Sequence, residues 1–164
     1  MSEQAFYVLP SDPDYLPTPE QRNDFDVYFM DILGVADSHY LHLTDEPMLV
    51  GNGEVSRVHC PACGSTLRMF TPEYEPSPHY GWFEAVRFLP AYASVEPPCC
   101  GARVKATDLE LLPAIPYARF ARGALNPGMA EYWNEDGTRL VAEVKARFEQ
   151  LLGAPIKQFW ESGT

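Results

Sequence analysis

The N-terminal apolar run Phe6-Tyr7-Val8-Leu9 ends at Pro10, the pattern of a short strand closed by a residue that cannot donate a backbone hydrogen bond. A loop rich in proline and aspartate follows (Pro10, Asp12, Pro13, Asp14). Then Thr18-Pro19-Glu20-Gln21 reads as a helix start: Thr18 caps, Pro19 suits the first helical position and Gln21 completes a capping box. Phe25, Tyr28, Phe29, Ile32 and Leu33 recur every three to four residues, so the spacing predicts an amphipathic helix with Gly34 as a left-handed stop. Tyr40-Leu41-His42-Leu43 is a second strand. The far end repeats the plan. Ala118 to Leu125 reads as a strand broken by Asn126-Pro127-Gly128. A loop leads to Asp136-Gly137-Thr138. A helix then carries Leu140, Val141, Val144, Phe148, Leu151 and Leu152 on one side, Gly153 and Pro155 stop it, and Ile156 to Trp160 is a strand.

Both helices close on one signature, Phe29-x-x-Ile32-Leu33-Gly34 and Phe148-x-x-Leu151-Leu152-Gly153. Two strand–helix–strand units of equal length predict an α+β, ferredoxin-like sandwich, with right-handed crossovers placing both helices on one face of a four-stranded sheet. The competing reading is that the signature is merely how amphipathic helices end. Between the units, residues 55–112 form an insertion of short β-like runs, Val55 to His59, Thr66 to Phe70, Ala85 to Leu89 and Ala102 to Thr107. The expected division is therefore 1–54, 55–112 and 113–164, within one compact domain.

All four cysteines fall in the insertion. Cys60-Pro61-Ala62-Cys63-Gly64 sets two thiols three residues apart on a proline-stiffened turn, and Gly64 lets the backbone fold beneath a shared ion. This resembles the knuckle of zinc-ribbon and rubredoxin-like proteins. Pro97-Pro98-Cys99-Cys100-Gly101 is an irregular second copy, with Cys100 on the second cysteine, Pro97 on the first and Cys99 in the middle. Tetrahedral zinc takes four donors, so Cys60, Cys63, Cys99 and Cys100 are the expected ligands, with His79 or His59 as substitutes for Cys99. Four cysteines leave no open coordination position, which points to a structural ion; iron fits the same donors. A redox Cys-x-x-Cys opens a helix after a strand, and Ser65-Thr66-Leu67-Arg68 offers none.

The ordered set Cys60–Gly64, Pro98–Gly101, Asp108-Leu109, Ala118–Ala121, Asn126-Pro127 and Leu152-Gly153 resembles a family of small uncharacterised bacterial proteins, over roughly the last hundred residues. The resemblance implies no activity. It suggests an immunity or accessory protein of a bacterial toxin system, by association alone.

Charge adds a partner class. Residues 1–54 hold eleven carboxylates against the single Arg22, a net −10 of the chain's −11. Such a field steers a basic protein partner toward Asp24, Asp26, Asp31 and Asp37, and it disfavours nucleic acid, whose phosphates need Lys and Arg. The bland alternative is a solvated acidic surface. Tyr74, Tyr80 and Trp82, in a proline-rich loop, either add to a recognition surface or cover the metal module's small core. No apolar run is long enough to span a membrane, and the first residues carry no secretion-signal pattern, so a cytoplasmic protein with reduced thiols is expected. His39 and His42 would serve an enzyme, but three residues apart on a strand they face opposite ways. The leading expectation is a non-catalytic, zinc-stabilised interaction module. The alternative is a zinc-ribbon regulator of transcription or translation.

Overall fold

The computed structural model describes residues 3–128, 132–134 and 139–162. Among them the chain is mixed α and β with antiparallel sheets. In order it runs β1 (Gln4–Pro10), α1 (Pro19–Leu33), β2 (Ser38–Leu49), β3 (Arg57–His59), β4 (Thr66–Arg68), α2 (Tyr80–Val86), β5 (Ser94–Val95), β6 (Val104–Lys105), β7 (Glu110–Leu112), β8 (Tyr117–Leu125), α3 (Ala142–Leu152) and β9 (Ile156–Ser162). Contacts divide it into two units, Met1–Asp45 with Ala118–Thr164, and Glu46–Tyr117. The second unit is wider than the 55–112 insertion read from sequence.

In the first unit α1 starts where the capping box places it. The Gln21 amide donates to Thr18 Oγ1 (3.2 Å) and the Thr18 amide to Gln21 Oε1 (2.8 Å), satisfying two donors that the first helical turn leaves free. Four strands pair in the order β2-β8-β1-β9, and β1 is antiparallel to both neighbours, with Phe6 opposite Ala124 and Trp160. Alternation along β1 sends Phe6 and Val8 into one core with Phe25, Phe29, Ile32 and Leu33 of α1 and Val144, Phe148 and Leu152 of α3. Both helices thus share a core with one face of the sheet. The Phe148 ring lies 4.8 Å from Phe25 and 5.0 Å from Tyr28. Tyr7 faces the other way and lays its ring over its cross-strand partner Gly123, where an added Cβ would come within 2.5 Å of that ring.

Several boundaries differ from expectation. Gly153 ends α3 in the left-handed conformation (φ 74°), as its position suggests, but Gly34 is right-handed (φ −67°, ψ −25°) and merely continues the helical turn. The shared signature therefore ends two helices by different means. α3 begins at Ala142, and Leu140 instead bridges to Trp133. Asp136-Gly137-Thr138 lie outside the described residues. β2 runs well beyond Tyr40–Leu43; as an edge strand it tolerates Pro47.

The second unit holds the three-stranded sheet β4-β3-β7 and the hairpin β5-β6. Its inward positions are Val58, Leu67 and Leu111, which alternate with exposed or half-buried neighbours. The Ala85 to Leu89 run is not a strand. Its first residues close α2, because Phe83 and Val86 are buried at helical spacing and the Phe83 amide donates to the His79 carbonyl (3.1 Å).

Candidate metal centre

Each cysteine pair sits at the tip of an antiparallel hairpin. β3 and β4 flank Cys60 and Cys63, with Val58 opposite Leu67, and β5 and β6 flank Cys99 and Cys100, with Val95 opposite Val104. The two tips share a backbone design. The Gly64 amide donates to the Cys60 carbonyl (3.0 Å), and the Gly101 amide donates to the Pro97 carbonyl (2.8 Å). Both glycines are left-handed, at φ 77° and 66°, a conformation glycine adopts without a Cβ penalty. Pro97 is buried, as Cys60 is. Residue for residue, then, Pro97 takes the backbone place that Cys60 has in the first tip, and Cys99 supplies a sulfur from the middle of the turn.

The four sulfurs come together, each within 4.8 Å of every other. Cys60 Sγ lies 3.9 Å from Cys100 Sγ, and Cys63 Sγ 3.3 Å from Cys99 Sγ. With metal–sulfur bonds of about 2.3 Å, the edge of a tetrahedron is about 3.8 Å, so these separations bracket what one ion requires. They are far beyond the roughly 2.05 Å of a disulfide, and all four thiols are free. The cluster can therefore bind a metal ion. Cys60 is fully buried, Cys99 is half-buried, and Cys63 and Cys100 are exposed, so the ion would lie near the surface with one sulfur rooted in the core.

Electrostatics prepare the site unevenly. Hydrogen bonds from the hydroxyl and amide of Ser65 pull the Cys63 thiol down to about 6, which favours the thiolate that metals bind. Desolvation, and then hydrogen bonds to Cys63 and Cys60, push Cys99 up to about 12. Four thiolates this close repel one another, and a divalent ion would remove that cost. Ser65 went unread in the sequence, although a hydroxyl two residues after a ligand is placed to donate to its sulfur.

The other candidates lie elsewhere. His59 Nδ1 is 3.3 Å from Thr66 Oγ1, and His79 stands at the start of α2, so neither joins the cluster. His39 and His42 are each tied to a main-chain carbonyl, of Leu33 (2.9 Å) and Ala118 (2.7 Å), and burial pushes the His42 pKa down. Asp24 and Asp31 are exposed two turns apart on α1 with exposed Val27 between them. Asp26 instead turns to Arg122 at 3.2 Å, at an angle that makes an ion pair without a hydrogen bond, and Asp37 accepts from Asn126 Nδ2 (2.8 Å). The aromatic trio separates as well. Tyr80 packs on Phe70 (5.5 Å) and Trp82 is half-buried, whereas Tyr74 is 87% exposed. Among the described residues no helix is long and apolar enough to cross a membrane. No family model, no curated protein and no solved structure matches the chain.

Proposed function

We propose that this is a non-catalytic, cytoplasmic protein-interaction protein whose second unit is held by one structural zinc ion in a ribbon-like site, and whose acidic first unit engages a basic protein partner. The observation that carries the zinc reading is the all-sulfur donor set at tetrahedral edge lengths, which leaves no coordination position for a substrate. The strand order β2-β8-β1-β9, with two helices on one core, supports the ferredoxin-like reading of the first unit. Net charge supports the partner: from the sequence the first unit carries −8 and the second −3. Exposed Asp24 and Asp31 beside Val27 and Met30 suit a partner with basic and apolar side chains. A bacterial immunity or accessory role fits that chemistry.

Metal analysis of gently purified protein should give one zinc per chain. Less than about half an equivalent, or iron in its place, would refute the zinc assignment. Affinity capture from a native lysate, read by mass spectrometry, should recover one basic effector. Recovery of ribosomal or polymerase subunits would favour a ribbon-type regulator and overturn the interaction reading.

A further inference from the structure

The outer face of the β3–β4 hairpin carries two arginines where the fold gains nothing from them. Arg57 and Arg68 are directly opposed across the hairpin, an arrangement in which like charges repel. Both are exposed, and neither makes an ion pair or a side-chain hydrogen bond among the described residues. The other arginines of the same unit are engaged, Arg87 with Glu84 and the Gly53 carbonyl, and Arg103 with Glu96. The opposed pair lines a cleft of about 350 Å³, within the range of small-ligand pockets, whose rim includes Glu54, Ser56, Phe70 and Tyr74.

Tyr74 is the second anomaly. It is a non-glycine residue at φ 60°, pinned there by a turn in which its amide donates to the Thr71 carbonyl (2.9 Å) and the Thr71 amide to the Glu75 carbonyl (2.8 Å). A strained backbone here holds a ring that is 87% exposed and packs into no core.

We propose that this cleft binds a small phosphate-bearing ligand with a planar ring, the chemistry of a mononucleotide. Two guanidiniums on one face supply the forked donors that phosphate oxygens accept. The Tyr74 ring offers a stacking surface for the base. Ser56 donates from the β3 side, and the Glu54 carboxylate accepts from a ring amino group or a sugar hydroxyl. The carboxylate repels the phosphate of either ligand, so the ring and sugar contacts at Tyr74 and Glu54 are what set a ring-bearing phosphate above inorganic phosphate. The site uses none of the cysteines and does not depend on the acidic partner surface.

The test is titration of the metal-loaded full chain with AMP, GMP, CMP and UMP, with the matching nucleosides, with inorganic phosphate and with a short single-stranded RNA, following the Arg Nε–H signals by NMR. At least one nucleotide should bind at least about tenfold more tightly than its nucleoside and than phosphate. Arg57→Gln and Arg68→Gln should each weaken it at least tenfold, while Tyr74→Asn should weaken the nucleotide and not phosphate. Each variant should unfold at the wild-type temperature or slightly above it, because each removes repulsion or strain. Absence of saturable shifts up to about 10 mM nucleotide would overturn the proposal. So would RNA binding more tightly than any mononucleotide, or an Arg57→Gln chain that binds as the wild type does. Should a variant fail to fold, the shifts of the Arg57 and Arg68 Nε–H signals in the wild-type chain decide the matter.

Discussion

Cys99→Ser separates the two accounts of the second knuckle, a fourth ligand from the middle of the turn or a site closed by something else. The sulfur of Cys99 is 3.3 Å from that of Cys63, one edge of the proposed tetrahedron. Structural zinc sites bind with an apparent ~10–16 kcal/mol, so an equal share for one thiolate is about 2.5–4 kcal/mol, or two to three powers of ten in affinity. At free zinc 100 times the wild-type dissociation constant the ion stabilises the fold by about 2.7 kcal/mol; a hundredfold weaker site keeps about 0.4. The loss of about 2.3 kcal/mol falls on a unit spanning Glu46–Tyr117, where each kcal/mol shifts the melting temperature by roughly 4–8 °C. Thermal unfolding in zinc-buffered solution should therefore shift down by about 10–20 °C, and a competing chromophoric chelator should strip the variant first. Because the Pro97 carbonyl accepts from Gly101 as the Cys60 carbonyl accepts from Gly64, adding Pro97→Cys to Cys99→Ser should rebuild a regular knuckle and restore affinity to within about tenfold of wild type. A Cys99→Ser chain that holds zinc within about threefold of wild type would refute the ligand assignment.

Three further changes probe the first unit. Phe148→Ala should cost about 3–5 kcal/mol in chemical denaturation, since the ring is fully buried among Phe25, Tyr28 and Phe29 and the site cannot collapse around the space left. Gly123→Ala should cost about 1–3 kcal/mol by pushing its methyl into the Tyr7 ring, and Tyr7→Ala in the same chain should recover much of that second loss. His42 has a folded pKa below its ordinary value because burial disfavours its charge. Its contribution is therefore complete above the unfolded pKa of about 6.5 and is lost as the pH falls through the lower folded value, because the unfolded chain takes the proton first. Denaturation midpoints measured from neutral to acid pH should fall less steeply for His42→Gln than for the wild type; an identical slope would remove His42 from the pH dependence.

Those parts of the fold that were legible in the sequence are the ones with enough periods to read. Thr18 with Gln21 and the Phe25–Leu33 stripe fix α1, and Val144, Phe148 and Leu152 with left-handed Gly153 fix α3. α2 was missed because seven residues with only Phe83 and Val86 buried give a single apolar spacing, which a strand-like run imitates. β2 was cut short because its outer positions mix Tyr40, Leu41 and Leu43 with Asp45 and Glu46, so an edge strand shows no clean alternation. In the metal centre the first knuckle is plain from residue spacing. The second is legible as an irregular copy with Pro97 in the place of Cys60, and the matching backbone hydrogen bonds and burial of the two residues agree with that alignment; what spacing leaves open is whether adjacent Cys99 reaches the other sulfurs. Arg57 opposite Arg68 was out of reach without the hairpin register.

A bound metal ion would matter most to the second unit, whose core is built from smaller side chains than that of the first. Its strands are two or three residues long, and its largest fully buried side chains are Met69, Val50 and Val58, against five phenylalanines in the first unit. Units of about 70–80 residues with such cores generally need a staple. Cys63 and Cys99 are 36 residues apart, and closing a loop of that length costs about 3–4 kcal/mol in chain entropy, a cost that metal–sulfur bonds across the two hairpin tips would help to offset. Chelation should then act locally. In hydrogen exchange read by mass spectrometry, peptides covering Val58, Leu67 and Met69 should lose protection when a strong chelator is added, while those covering β1, β8 and β9 keep theirs. The four-stranded sheet rests on the Phe6, Phe120 and Phe148 core and has no cysteine in it. Equal loss of protection across the whole chain would show that the cysteine cluster supports more than its own hairpins.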